Sequence, residues 1–309
     1  MDLKFKKQEA EDVEMLTKFY GKRRDMTCDS VILDSFLWAR YYNVEFAVRD
    51  DKALLWMMNI EGEPYAALPV CALEDMPHYL HELERYFNEN LNRPLTIYLA
   101  DEIAVEYLNL PQDQYSVMEL PDARDYLYSA EKLKKLSGKK LHKKKNHLNS
   151  FLKEYDGRFE YHTLCCSDRE DVWGFLEKWR IQKGQEVEDH LDPEVEGIHD
   201  ILNNCAVFNV HMGGVYIDGK LEAFSIGSYN AMEKMAIIHI EKANPDIRGL
   251  YQYINQQFLI NEFPEAEIVN REDDLGLPGL RRAKESYDPI GFANKFRIHQ
   301  IWGNAESAQ

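Results

Sequence analysis

Three stretches of this sequence crowd together side chains able to hold an anion or move a proton. Residues 132–153, KLKKLSGKKLHKKKNHLNSFLK, carry nine lysines and no acid, although the whole chain has a net charge of −17. On a helix from Gly138 to Tyr155, at about 100° per residue, Leu141, Leu148, Phe151, Leu152 and Tyr155 form one stripe. Lys144 falls inside that stripe and Lys145 at its edge. An ammonium on an apolar face needs a partner or a route to water, so these lysines either reach an anionic ligand or snorkel and pair.

The second stretch, MAIIHIEKANPDIRGLYQYINQQF from Met235 to Phe258, reads as a strand, a loop and a helix. Strand alternation puts Ile238 and Ile240 on one face, and Ile237, His239 and Glu241 on the other. The loop carries Arg248 and Gly249 into the helix, and a helix N-terminus behind a glycine suits a phosphate or carboxylate. A plain strand-to-helix connection explains the same residues. The third stretch runs from Glu267 to Phe296. A short apolar strand ends in Asn270, Arg271, Glu272, Asp273 and Asp274, where open α/β sheets place ligands, and the next helix carries Arg281, Arg282 and Lys284. The bland reading there is a capped helix with surface ion pairs.

Other chemistries lack their residues. No GxSxG elbow, HExxH helix, GxGxxG or GxxxxGKS occurs, and the histidines lack a metal-ligand spacing, so no metal site is expected. The five scattered cysteines show no CxxC and read as reduced thiols of a cytoplasmic protein. The N-terminus is not a signal peptide and no apolar run reaches the ~20 residues of a membrane span. Removing the lysine segment leaves a charge of −26, which argues against general nucleic-acid affinity outside that segment.

The elements that must position these residues come in two similar sets. Strand-like LKFKKQ leads into EDVEMLTKFY at Glu11, and RFEYHTLCC leads into EDVWGFLEKW at Glu170, an offset of 159 residues. The turn at Gly62 precedes YAALPV and the turn at Gly219 precedes EAFSIG, at an offset of 157. In both halves a helix then follows (76–90; 249–263), then a strand (95–100; 267–270). The expected fold is α/β with two mostly antiparallel mixed sheets, divided into residues 1–136, a structural unit forming one cleft wall, and 137–309, the working unit with its basic helix at 138–155.

AKESYDPIGF, within that element order, resembles the last helix of the GNAT (acyl-CoA N-acyltransferase) fold, where a tyrosine before a Gly-Phe pair often protonates the leaving thiolate. More closely, KKLHKKKNHLNSF, IHIEKA, VNREDDLG, LRRAKESYDP and Lys295 look like a bacterial family related to the soluble C-terminal region of phosphatidylglycerol lysyltransferase. Its tandem units are also similar to the peptidoglycan interpeptide-bridge aminoacyltransferases. The resemblance implies Tyr287 as general acid and Glu241, with His239, as general base. It implies Arg271, Glu272 and Asp274 around an acceptor or aminoacyl amine, and Lys144 with Arg248 at the donor's phosphates or a tRNA end. The acetyltransferase phosphate loop is matched only in part, since Asp246, Gly249 and Tyr251 occupy its positions. The function so implied is transfer of an acyl or aminoacyl group from acyl-CoA or aminoacyl-tRNA to an amine or hydroxyl, with no permanently bound cofactor. The tRNA would bind through residues 132–153, and a non-catalytic binding module on the same fold is the rival.

Overall fold

The computed structural model describes residues 3–183 and 191–302. Among the described residues, fourteen strands form two seven-stranded sheets. In chain order they are β1 (Lys6–Lys7), β2 (Glu45–Arg49), β3 (Ala53–Ile60), β4 (Glu63–Ala66), β5 (Thr96–Asp101), β6 (Tyr115–Glu119) and β7 (Asp125–Ser129). The second set is β8 (Phe159–Thr163), β9 (His211–Ile217), β10 (Lys220–Asn230), β11 (Met235–Ala243), β12 (Ile268–Asn270), β13 (Gly291–Ala293) and β14 (Lys295–Gln300). The first sheet runs β1-β2-β3-β4-β5-β14-β6 and the second β8-β9-β10-β11-β12-β7-β13. Each has a single parallel pair in the same place, β4 with β5 and β11 with β12, and is otherwise antiparallel. The expected duplication is therefore present as two tandem GNAT-like sheets.

Two details differ from the sequence reading. Sheet position matches the β2–β3 hairpin with the β9–β10 hairpin, so Asp50-Asp51 corresponds to Asp218-Gly219, and Gly62 belongs to the next hairpin along. Both matched turns place two successive residues at positive φ, 52° and 53° in one and 49° and 76° in the other. That twist joins antiparallel strands tightly, whether or not glycine supplies it. The sheets also exchange strands. β7 precedes residue 137 in sequence yet pairs with β12 and β13, while β14, at the end of the chain, inserts between β5 and β6. The division of strands between sheets thus does not follow a cut at residue 136.

The largest core is common to both sets of elements. Leu16, Ile32 and Leu37 of the N-terminal helices pack with Phe175, Leu176 and Ile198 and with Phe224, Ile226 and Ile240 of β10 and β11. Helix Met76–Asn90 buries Met76, Tyr79, Leu80, Leu83 and Phe87 against the first sheet. Helix Leu250–Glu262 buries Leu250, Ile254 and Phe258 at i, i+4, i+8 against the second. Helix His142–Glu154 buries only Leu148 and Phe151; Leu152, expected in the apolar stripe, is exposed. Cys166 and Cys205 form a disulfide with Cα atoms 5.8 Å apart, contrary to the expectation of five free thiols. Thirty-nine residues separate them in sequence, so only the packing of their helices brings them together, and the cysteines no longer argue for a reducing compartment. Among the described residues, no helix is long and apolar enough to cross a membrane.

Candidate active site between the two sheets

A cavity of about 1010 Å³ opens between the two sets of elements and is lined by both. Its C-terminal wall is shaped by a β-bulge. Ile226 of β10 pairs with Ile240 of β11 and Gly227 pairs with Ile238, which leaves His239 as the extra residue. The bulge reverses the strand's alternation. Ile238 packs with Phe258 on one face and Ile240 with Phe224 on the other, whereas simple alternation puts both on one face. Past the bulge, Glu241 turns towards helix Leu250–Glu262, where Asn255 Nδ2 donates to Glu241 Oε2 at 2.8 Å. β12 stops at Asn270, so the chain from Arg271 to Asp273 is free to fold over the cavity beside β11.

Arg271 Nη2 donates to Glu241 Oε1 at 2.8 Å, and both side chains are largely buried. The Arg271 guanidinium lies 4.8 Å from the Tyr287 ring centroid, and the Lys144 ammonium lies 4.1 Å from the same centroid. Gln252 Nε2 donates to the Tyr287 hydroxyl at 2.9 Å. Burial raises the pKa of Tyr287, and the nearby Arg271 charge works against that rise. Burial, with Arg271 and Lys143 nearby, lowers that of Lys144. These groups form a cationic end, where an anion or a charge developing on a reacting oxygen would be stabilised.

The other end is acidic. Asp29 and Asp34 come from the N-terminal segment and Glu272 and Asp273 from the loop after β12. His239 Nδ1 lies 2.8 Å from Glu272 Oε1 and 4.0 Å from Asp34 Oδ1, and His239 Nε2 lies 3.1 Å from the Ser228 hydroxyl. Burial drives Glu272 and Asp34 well above the usual carboxylate range and lowers the imidazole of His239. Glu272 sits at φ 57°, a strained backbone for a side-chain-bearing residue. Potential ligand atoms of Asp34, His239 and Glu272 lie within 4.8 Å of one another, as do those of Cys28, Asp29 and Asp34. Such a set fits a small cation, an organic ammonium included.

The chain matches the phosphatidylglycerol lysyltransferase C-terminal family over residues 28–299, a span that includes the second sheet and, apart from β1 and the last residue of β14, the first. It belongs to that family. An uncharacterised protein of Mycoplasmoides gallisepticum is 28% identical over 216 residues, 69% of this chain and 68% of that protein. A conserved protein of unknown function from Bacteroides thetaiotaomicron superposes with a TM-score of 0.89 at 24% identity, covering 97% of this chain and all of that one. The C-terminal domain of a putative lysylphosphatidylglycerol synthetase from Agrobacterium fabrum gives 0.68 at 16% identity, covering 95% and 93%. The family model is that of a lysyltransferase, and the fold is shared with that synthetase domain and with FemX, which superposes with a TM-score of 0.59 at 8% identity, covering 97% and 98%.

In this phosphatidylglycerol lysyltransferase C-terminal family member, Lys144, His239, Glu241, Arg271, Glu272, Lys284, Tyr287 and Lys295 all line the cavity. Lys284 spends its ammonium on the backbone carbonyls of Arg271 and Asp273, which pins the loop. Lys295 is buried against Asp125 (3.0 Å), Asp29 (3.1 Å) and Cys28 Sγ (3.2 Å) where the exchanged strands cross. Six of the sequence's candidates do not line it. Lys145, Arg248 and Arg282 are solvent-exposed. Gly249 sits at φ 88°, and a Cβ there would fall 2.2 Å from the His147 carbonyl oxygen, so glycine lets two helices touch rather than an anion approach. Asn270 is fully buried, donating to the Met26 carbonyl and to Asp125. Asp274 accepts from Arg281 and Tyr126, and the Arg281 guanidinium holds it down at about 2. Sequence reasoning missed Asp29, Asp34, Gln252 and Asn255. The i, i+3 spacing of the two amides on a helix that buries Asn255 was the one available signal for them.

Proposed function

We propose that this protein moves an aminoacyl group from an activated ester, the 3′ end of aminoacyl-tRNA, onto an amine or hydroxyl acceptor. The observation that carries the reading is the convergence of Glu241, Arg271, Lys144 and Tyr287 on one cavity, with an acidic pocket at its far end. Glu241, with His239 nearby, takes the proton of the attacking amine or hydroxyl as the new C–N or C–O bond forms. Arg271 and Lys144 stabilise the negative charge that gathers on the carbonyl and leaving oxygens. Tyr287 gives its proton to the departing ribose oxygen as the ester C–O bond breaks. Asp34 and Glu272, with the part-exposed Asp29 beside them, suit the donor's ammonium, and this supports an aminoacyl rather than a plain acyl group, for which two buried acids would be a liability. The exposed lysines of helix His142–Glu154 lie beside the cationic end and suit the tRNA backbone.

The test is a thermal-shift titration with charged tRNA, uncharged tRNA, coenzyme A and acetyl-CoA, followed by release of labelled amino acid in the presence of model amines and alcohols. Ligand at 100 times its Kd adds about 2.7 kcal/mol of stability. Charged tRNA should shift the protein more than uncharged, with label released to an acceptor. A shift with acetyl-CoA alone would make the protein an ordinary acyltransferase. Binding of charged tRNA without release under any condition would make it a binding module.

A further inference from the structure

Two amide side chains on one helix contact the two groups that the proposed reaction uses for proton transfer. Gln252 and Asn255 are three residues apart on helix Leu250–Glu262 and so project from nearly the same side, one turn apart. Gln252 Nε2 donates to Tyr287 Oη at 2.9 Å, and Asn255 Nδ2 donates to Glu241 Oε2 at 2.8 Å. The helix itself is tightly held. Leu250, Ile254 and Phe258 are fully buried, and Gly249 at its start is pressed on the His147 carbonyl with no room for a Cβ. Asn255 is 1% exposed, and its own Oδ1 has no hydrogen-bond partner among the described residues. A buried amide that leaves one end unsatisfied is costly, and what offsets that cost here is its hydrogen bond to the buried Glu241 carboxylate.

We infer that Gln252 and Asn255 are positioning residues that set the protonation geometry of Tyr287 and Glu241, so that one rigid helix aligns both ends of the proton relay; this rests on the transfer reaction proposed above. An amide N–H can only donate. When Gln252 donates to the Tyr287 oxygen, the hydroxyl hydrogen is turned away from Gln252, the orientation a proton donor needs. When Asn255 donates to one carboxyl oxygen of Glu241 and Arg271 donates to the other, the side chain is held in one rotamer beside the cavity. The two amides divide the work, since each touches only one of the pair.

The test uses full-length protein carrying 3-fluorotyrosine, whose lower intrinsic pKa brings the titration into the range where proteins stay folded. The Tyr287 signal is identified among the 18 tyrosines by its loss in Tyr287→Phe. Gln252→Met keeps the side chain's volume and removes the donor. The Tyr287 ionisation should then move up by about 0.7 pH unit, the roughly fivefold change worth one neutral hydrogen bond. Gln252→Glu substitutes an acceptor with negative charge and should move it further in the same direction. In turnover, kcat should fall in the order wild type, Met, Glu with KM little changed, and Asn255→Asp should lower kcat through Glu241 without moving the Tyr287 titration. An unchanged Tyr287 titration in both Gln252 variants would overturn the inference. A shifted titration in a protein that transfers nothing would keep the positioning role and reject the reaction; normal transfer with unshifted Tyr287 would do the reverse. Should Gln252→Met fail to fold, the Glu variant, which keeps the amide's shape, carries the same test.

Discussion

Replacing Arg271 with Met isolates the buried charge pair at the cationic end of the cavity. The Arg271–Glu241 contact is 2.8 Å, with the two side chains 15% and 8% exposed. At that separation, with an effective dielectric near 20, the Coulomb attraction is about 6 kcal/mol before desolvation. Much of this is offset by burying the guanidinium, so the pair itself contributes little net stability. Arg271→Met, however, leaves the Glu241 carboxylate buried with Asn255 as its remaining hydrogen-bond partner, and such orphaned charges cost about 3–5 kcal/mol. Urea denaturation at neutral pH should therefore show Arg271→Met destabilised by that amount. Glu241→Gln alone leaves the cation, which still lies against the rings of Tyr128 and Tyr287 and should cost less. The double variant Arg271→Met/Glu241→Gln should recover at least about 2 kcal/mol over the sum of the single effects. Strictly additive single and double variants, or an Arg271→Met protein within about 1 kcal/mol of wild type, would refute the claim that Glu241 depends on Arg271.

The remaining predictions need only purified protein and an active donor. Tyr287→Phe should lower kcat by about 10²–10⁴-fold while leaving donor affinity within a factor of a few, and unchanged turnover would remove Tyr287 from the acid role. Lys144→Ala should weaken donor binding and flatten its salt dependence; equal affinity at every salt concentration would return this lysine to packing against the Tyr287 ring alone. Asp25, buried in the cavity wall near Asp101, is pushed up to about 7 by loss of solvation and by that neighbour, with Arg23 opposing the shift. Its folded-state pKa is raised, so the stability it contributes is present below pH 4 and is lost as pH rises through 7, at up to about 1.4 kcal/mol per pH unit. Asp25→Asn should remove that slope from a stability profile between pH 4 and 8, and an unaltered profile would show that Asp25 ionises normally.

What the sequence made legible follows the range over which each feature is encoded. Helices 76–90 and 250–262 were readable to within a residue because apolar side chains recur at helical spacing within one continuous segment. Lys144 stood out as a charge on an apolar stripe, and it does sit over the Tyr287 ring. The bulge at His239 left no local mark: MAIIHIEKA has neither glycine nor proline, and the extra residue exists only relative to β10. Gly249 misled because a glycine before a helix reads alike whether it admits a ligand or a neighbouring backbone, and only the position of His147 separates the two. Asp29 and Asp34 lie in DSVILDSFLW, a stretch that reads as an ordinary short helix. Their meaning comes from His239 and Glu272, more than 200 residues away.

The strand exchange accounts for why the cavity needs both sheets. Asp125 opens β7 and Lys295 opens β14, and these two residues meet at 3.0 Å where each strand leaves for the other sheet. Asp125 also accepts from the Cys28 backbone N–H and from Asn270, which ties the N-terminal segment bearing Asp29 and Asp34 to the end of β12. The loop bearing Arg271, Glu272 and Asp273 begins at that same point. A single buried ion pair therefore fixes three segments that supply the acidic end of the cavity. Neutralising Lys295 would strand Asp125, which is fully buried, and should loosen those segments together rather than one at a time. Lys295 lines the cavity and is held there by Asp125, Asp29 and Cys28.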